Sequence, residues 1–241
     1  MIIDSHVHAG TADKLLAPWE TAADIDVSLQ RMDDAGIDKA VILPIGSGNF
    51  ERRNRETAEI VRRHPDRLFG YAKLSQTEDA GRAAALLKEA FEKLGLRGLK
   101  LHGHPNREIM DVMSRYGKPL LVDVKGKVYP LRHVAESYGD VPIIIAHMGQ
   151  FLGARGEVRL TTLWLAKRFP NVYFDTSTVS EHAWLEEAVR EGLSHKMIFG
   201  SDGPGCHCEV ELSRIRALRL APEDEQRVLW KNIAGLLGEP T

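Results

Sequence analysis

The sequence predicts one α/β domain over residues 1–241, a single (β/α)8 barrel of the TIM type with a C-terminal helix. Short, β-rich apolar segments alternate with longer segments of helical period, and each of the eight short segments ends in Gly, Pro or a polar residue. Their ends recur at an average step of about 28 residues, the length of a strand, a helix and two loops. Eight successive units favour a closed parallel barrel, and an open doubly wound sheet is the alternative fold.

The elements follow in chain order. The predicted strands are residues 2–8, 39–45, 68–73, 96–102, 119–124, 141–147, 172–176 and 197–202. Gly36 is placed to end the first helix in a left-handed cap. A later helix is predicted from Thr77 to Gly95, with apolar side chains three and four residues apart. Pro222 suits the first turn of the last helix, which we expect to reach about Leu237.

Composition narrows the class of function. Apolar residues make up 43% of the chain, and 32 basic against 34 acidic residues give a formal net charge of −2. A nucleic-acid or anionic-membrane surface requires a basic patch, so we expect a small-molecule substrate and neither of those partners. No apolar run approaches the roughly 20 residues of a membrane span. With no signal-peptide pattern, and with Cys206 and Cys208 too close for a disulfide framework, a cytoplasmic protein is expected.

Chemistry-bearing residues gather at the ends of the predicted strands, where barrel enzymes carry their active sites. These residues are Asp4, His6, His8, Lys100, His102, His147 and Asp202. The two-residue period of a strand predicts that Asp4, His6 and His8 share one face. Barrel closure places the last strand beside the first, so Asp202 is expected to join the two imidazoles around one divalent ion. Hydrogen-bonded core histidines and a helix cap at Asp202 are the alternatives.

Five segments of the sequence resemble the amidohydrolase superfamily, specifically the amidohydrolase-related branch that also contains aminocarboxymuconate-semialdehyde decarboxylase-like enzymes. The segments are residues 3–8, 98–102, 145–149, 199–204 and 232–238. The resemblance implies a somewhat distorted barrel with one divalent metal ion, often zinc. It implies that His6 and His8 are metal ligands and that Asp202 is a ligand that also moves protons. It makes His147 a catalytic or metal-proximal histidine.

The sequence departs from this family at the fifth strand. The family usually has a metal-binding histidine there, in a His-x-Gly setting, whereas this chain has Asp123 within Val122-Asp123-Val124. Asp123 as an oxygen ligand, or His102 from the fourth strand, is expected to replace it. More oxygen ligands favour a harder ion such as manganese. A merely polar Asp123 and the loss of tight metal binding are the alternatives.

The predicted activity is hydrolysis of an amide, lactone or ester bond of a small, carboxylated molecule by metal-activated water. Asp202 is expected to move the proton, and His147 or His102 to stabilise the oxyanion. A non-oxidative decarboxylase using the same metal site and a metal-free barrel that binds a small acid are the alternatives.

Basic side chains near the strand ends suggest how a carboxylated substrate is held. Lys100 lies within a strand, and Lys125, Arg155 and Arg159 lie just beyond strand ends, so they are candidates for a carboxylate clamp. Solvated surface charges are the alternative for the last three. A homodimer is consistent with the resemblance, and Trp19 and Trp184 are candidate interface aromatics.

Overall fold

The computed structural model describes residues 1–11, 23–153 and 155–241. Within these ranges eight strands form one sheet in the order β1 to β8, and every neighbouring pair is parallel. The strands are β1 Ile3–Ala9, β2 Lys39–Pro44, β3 Leu68–Leu74, β4 Gly98–His102, β5 Leu120–Asp123, β6 Ile143–Ile145, β7 Val172–Asp175 and β8 Met197–Ile198. All eight predicted strands are confirmed: six are shorter than predicted, β1 is shifted by one residue, and β3 is one residue longer.

The sheet closes because the chain after β8 bonds to β1. The backbone N–H of Ser5 donates to the carbonyl of Phe199 at 3.0 Å, and the N–H of Asp202 donates to the carbonyl of His6 at 2.7 Å. These bonds satisfy backbone groups that an open sheet would leave at its edges. The predicted (β/α)8 barrel is therefore confirmed, and the open doubly wound sheet is wrong.

Helices cover the outside of the barrel, one after each strand. They are α1 Ile25–Ala35, α2 Phe50–Arg63, α3 Ala83–Glu92, α4 Arg107–Tyr116, α5 Leu131–Ser137, α6 Gly156–Arg168, α7 His182–Arg190 and α8 Cys208–Ala217. Gly36 caps α1 at φ +73°, as predicted. The helix predicted from Thr77 begins instead at Ala83. Gly81 at φ +77° interrupts the helical path, and the Asp79 carboxylate accepts a hydrogen bond from the Ser75 N–H in a local turn.

The C-terminal helix closes the end of the barrel where the strands begin. It consists of α9 Pro222–Gln226, a π-helical turn Arg227–Lys231 and α10 Asn232–Leu237, and Gly238 ends it in the left-handed region. Side chains of α10, including Ile233 and Leu237, share a buried cluster with Ile3 and Phe69 near the starts of β1 and β3. This helix does not cover the opposite end of the barrel, where the strands finish.

Two expectations from sequence concern surfaces. Across the described ranges, no helix combines the length and apolarity needed to cross a membrane. Trp19 lies outside the described residues. Trp184 packs against the core and its indole N–H donates to the Glu181 carboxylate at 2.8 Å, so it is partly engaged within its own chain. The homodimer stays a prediction.

The packing of β4 against β3 generates a stability prediction. A Cβ built on Gly98 would lie 2.6 Å from the Tyr71 ring and 2.8 Å from the backbone carbonyl of Pro119. We expect Gly98→Ala to lower the free energy of unfolding by about 1–3 kcal/mol, because neither neighbour can move away cheaply. Urea denaturation measures the change. Gly139→Ala is the matched control, since its Cβ meets nothing within 4 Å. Equal stability of both variants would contradict the packing described for β4.

Candidate active site

A cavity of about 920 Å³ opens at the end of the barrel where the strands finish. Side chains at or just beyond the ends of six strands line it, together with the loop that follows β2. Those side chains include His8, Lys73, Lys100, Asp123, His147 and Asp202. The cavity therefore lies where the strand-end pattern predicts the functional site.

His6 lies at the centre of this arrangement and is completely buried. Its Nδ1 is 2.8 Å from Oδ2 of Asp175 at the end of β7. An ionised carboxylate only accepts hydrogen bonds, so Nδ1 carries the proton and Nε2 is unprotonated. Burial lowers the pKa of His6, which favours this neutral form. Burial alone would raise the pKa of Asp175, but neighbouring His6 and the hydrogen bonds that the carboxylate accepts lower it to about 2.

His147 enters the site from a short 3-10 turn, Ala146–Gly149, directly after β6. His147 and Met148 both have left-handed backbone angles, at φ +57° and +48°. Such angles are strained for residues other than glycine and persist only where the surroundings hold them. The backbone N–H of His147 donates to Asp175 Oδ1 at 2.8 Å, and the buried Arg159 guanidinium donates to the His147 carbonyl. These two bonds hold the turn that points the imidazole inward.

The proton of the His147 ring is also fixed. Its Nδ1 is 2.8 Å from the Ser177 hydroxyl and 3.3 Å from the Ser177 carbonyl, which can only accept. Nδ1 therefore carries the proton, and the Nε2 lone pair is free, as in His6. Burial and the nearby His6 lower the pKa of His147 to about 4. The two rings stack with centroids 4.9 Å apart.

Asp202 completes a group of three potential metal ligands. Oδ1 of Asp202 lies 3.2 Å from Nε2 of His6 and 3.2 Å from Nε2 of His8. Of all described residues, His6, His147 and Asp202 bring ligand atoms within 4.8 Å of one another. Burial alone would raise the pKa of Asp202, but His6 and His8 hold it well below its usual range. Two neutral imidazoles and an ionised carboxylate are the donors that a divalent ion prefers, so these residues fit one.

His8 borders the three-residue group without belonging to it. Its Nε2 faces Asp202, and its Nδ1 is buried with no hydrogen-bond partner among the described residues. A buried ring nitrogen without a partner costs free energy unless another group satisfies it. Through Nε2, His8 adds a fourth side chain beside the three-residue group, in contact with Asp202.

The structure places Asp123 and His102 beside each other, away from the three-residue group. Asp123 Oδ1 accepts a hydrogen bond from the Lys125 backbone N–H at 2.9 Å, and Oδ2 lies 4.0 Å from Nε2 of His102. Burial lowers the pKa of His102, so its imidazole is neutral. His147, from the turn after β6, is the second imidazole of the three-residue group, which includes neither Asp123 nor His102.

Asp4 does not share a face with His6 and His8, contrary to the two-residue period. The pairing register of β1 with β2 shifts between Asp4 and Val7, which breaks the alternation of side chains. Asp4 instead lines a small cavity beneath α1 with Ser28 and Met32. Burial raises the pKa of its carboxyl to about 7.

The predicted carboxylate clamp is only partly assembled. Lys125 is exposed and lines the cavity. Arg155 is not among the residues that line it; its side chain is 80% exposed and lies 3.8 Å from Glu157. Arg159, only 1% exposed, binds the His147 carbonyl and not a ligand. Lys100 is fully buried, with Nζ 3.2 Å from Nε2 of His6.

Sequence analysis missed Asp175, Ser177 and Lys73. Asp175 and Ser177 orient the two imidazoles, and the ammonium group of Lys73 donates to the Gly46 carbonyl at 2.7 Å. Asp175 lies at the end of predicted strand 172–176, and Lys73 at the end of 68–73. The strand-end rule applied to every strand would have found both of them.

Comparison with known proteins identifies the family. The amidohydrolase family model matches residues 3–238, which is nearly the whole chain. The chain belongs to the amidohydrolase family. A search of curated protein sequences gives no match.

Solved structures of this amidohydrolase fold are similar to the chain over almost its full length. A probable 2-pyrone-4,6-dicarboxylic acid hydrolase from Acinetobacter baumannii, with citric acid bound, is 17% identical with a TM-score of 0.76, covering 98% of this chain and 99% of that one. The 5-carboxyvanillate decarboxylase of Sphingomonas paucimobilis is 15% identical, with a TM-score of 0.72 and 99% of each chain covered. The 2,6-dihydroxybenzoate decarboxylase from Rhizobium is 14% identical, with a TM-score of 0.73 and 98% of each covered. At these identities the likeness shows the fold alone.

The hydrogen bond from His6 to Asp175 generates a prediction about metal binding. In Asp175→Asn, an amide group that donates hydrogen bonds can face Nδ1 and move the imidazole proton to Nε2, where it blocks the lone pair. We expect the affinity for added Zn²⁺ or Mn²⁺ to fall by about ten- to a hundred-fold, measured by competition with a chelating dye.

Asp123→Asn is the matched control for this experiment, because it also removes a carboxylate from the edge of the same site. We expect a smaller loss of affinity, since Asp123 lies outside the three-residue group. A loss equal to that of Asp175→Asn would instead identify Asp123 as a ligand.

Proposed function

We propose that this amidohydrolase is a metal-dependent hydrolase that cleaves an amide, lactone or ester bond of a small, carboxylated molecule. The observation that carries the proposal is the convergence of His6, His147 and Asp202 at the finishing end of the barrel, beside the cavity. With His8 as a further ligand, the donors are three imidazole nitrogens and one carboxylate. Such a nitrogen-rich set favours zinc, and manganese is the second choice.

The roles of the protein groups follow from their protonation states. When bound, a divalent ion supplies Lewis-acid chemistry, lowering the pKa of a water molecule and polarising a carbonyl group. Asp202 is ionised at neutral pH, so its carboxylate can accept a proton from water and deliver it to the leaving group. His147 is neutral and its N–H bonds to Ser177, so its free Nε2 can bind or accept but not donate. His102 is therefore the better candidate to donate a hydrogen bond to the oxyanion.

The cavity wall supports a carboxylated substrate. Lys125 and His102 line the cavity, and Lys125 is exposed, so its ammonium group can reach a bound carboxylate. The similar hydrolase from Acinetobacter baumannii is named for a dicarboxylic acid and holds citric acid, which is consistent with an acid-binding cavity. The named decarboxylases among the similar structures keep decarboxylation at the same site as the second candidate.

Metal content and activity test the proposal together. We expect purified protein to bind about one equivalent of zinc or manganese, and chelation to abolish turnover in a screen of carboxylated lactones, esters and amides. His6→Ala and Asp202→Asn should each lower kcat/KM by about a thousand-fold or more, because each removes a ligand or the proton acceptor. Elemental analysis and steady-state kinetics give the two readouts. Full turnover by metal-free protein would refute metal dependence.

Product analysis separates the two reaction types on the same substrates. Hydrolysis adds the mass of one water to the products and releases no carbon dioxide. Release of carbon dioxide without uptake of water would replace the hydrolase with the decarboxylase.

Lys125 generates a separate prediction about the substrate. Lys125→Gln should raise KM for a carboxylated substrate by about ten-fold and leave KM for its uncharged analogue unchanged, because only the carboxylate uses the ammonium group. Arg155→Gln is the control, since this exposed side chain does not line the cavity. An effect of Arg155→Gln as large as that of Lys125→Gln would show that the loop following β6 rearranges over the substrate.

A further inference from the structure

The ammonium group of Lys100 lies at the position where a metal ion would meet His6. Lys100 Nζ is 3.2 Å from His6 Nε2, which is the unprotonated ring nitrogen of His6. A lone pair that accepts a hydrogen bond from an ammonium group cannot at the same time bind a metal ion. One nitrogen atom therefore faces two competing cations.

Two opposing effects act on the charge of Lys100. Burial of the side chain lowers the pKa of Lys100, and the nearby carboxylates of Asp123, Asp175 and Asp202 oppose that shift. A buried positive charge requires such compensation, because transfer from water into the protein interior is costly. The same carboxylates would stabilise a divalent ion. The three carboxylates thus attract positive charge to the position beside His6, where Lys100 Nζ lies.

Lys100 also has space into which it can withdraw. Its side chain lines the cavity of about 920 Å³, next to Asp123. A lysine side chain has four rotatable bonds, so its ammonium group can leave His6 and still face a carboxylate. Withdrawal does not require the β4 backbone to move.

We propose that the Lys100 ammonium group and a divalent ion are alternative occupants of the position beside His6 Nε2, so that Lys100 limits how tightly the centre binds metal. This inference rests on the proposed metal-dependent function. Binding of the ion displaces Lys100 Nζ from His6 and forces two positive charges into one buried site, and both effects weaken affinity. Lys100 is in this respect a positioning residue and not a clamp for substrate.

Metal affinity of the purified protein tests this competition without an activity assay. Apo wild-type protein and the variant Lys100→Leu are titrated with Zn²⁺ against a fluorescent chelator. We expect Lys100→Leu to bind Zn²⁺ about ten-fold or more tightly than the wild type, because the competing charge is gone. Lys125→Leu is the matched control: it removes the same charge from the rim of the same cavity, and we expect a change below about three-fold because exposed charges are screened by solvent.

The outcomes separate this inference from the proposed function. Equal or weaker zinc binding by folded Lys100→Leu overturns the competition and leaves the metal-dependent hydrolase standing. Zinc binding by Lys100→Leu but not by the wild type supports the competition and overturns metal dependence of the natural chain. If neither protein binds zinc, both proposals fail.

Two further measurements test the competition if Lys100→Leu does not fold. Lys100→Gln keeps a polar side chain of similar reach and should also tighten zinc binding. In a crystal structure of zinc-loaded wild-type protein, we expect zinc on His6 Nε2 and Lys100 Nζ displaced from its contact with that atom. Zinc on His6 with the Lys100 contact intact would overturn the competition.

Discussion

The backbone hydrogen bonds between the end of β8 and β1 are the interaction on which the site depends. The bond from Asp202 N–H to the His6 carbonyl places a carboxylate from one end of the chain beside imidazoles from the other. Oδ1 of Asp4 supports the same junction by accepting from the backbone N–H groups of Ser201 and His6. Asp202 has a left-handed backbone at φ +63°, a conformation that costs about 1 kcal/mol or more outside glycine. Closure of the barrel therefore stabilises both the fold and the strained residue that the site requires.

A second buried carboxylate, that of Asp175, fixes the orientation of the imidazoles at this end of the barrel. Burying an ionised carboxylate costs several kcal/mol unless hydrogen bonds compensate it. Asp175 accepts four: from Nδ1 of His6, from the backbone N–H of His147, and from both the N–H and the hydroxyl of Ser177. Because Ser177 also contacts the His147 ring, one carboxylate orients both imidazoles. The orientation of the two imidazoles therefore follows from hydrogen bonds within the protein.

The parts of this site that sequence predicts are those that depend on residue order alone. Strand periodicity and barrel closure bring the His pair and the late aspartate together, since both rules require only that strands form and pair. The prediction for Asp4 is wrong because a register shift in β1 breaks the alternation, and the role of His147 depends on a left-handed turn. Arg155 and Arg159 lie one helical turn apart, yet one is exposed and the other buried. Such differences arise from backbone angles and packing that no short motif specifies.

The fifth strand ends in an aspartate where the family usually has a histidine, and this aspartate affects a lysine of the neighbouring strand, β4. An aspartate in place of a neutral histidine adds one negative charge, and the register pairs Asp123 with His102, two residues beyond Lys100 on β4. Burial lowers the pKa of Lys100, and the charge of Asp123 opposes this shift, so the aspartate partly compensates a buried lysine. His147, from the turn after β6, supplies the second imidazole of the three-residue group. In place of a histidine, the fifth strand therefore carries a carboxylate that acts on the charge of Lys100, and the imidazoles of the three-residue group come from β1 and from the turn after β6.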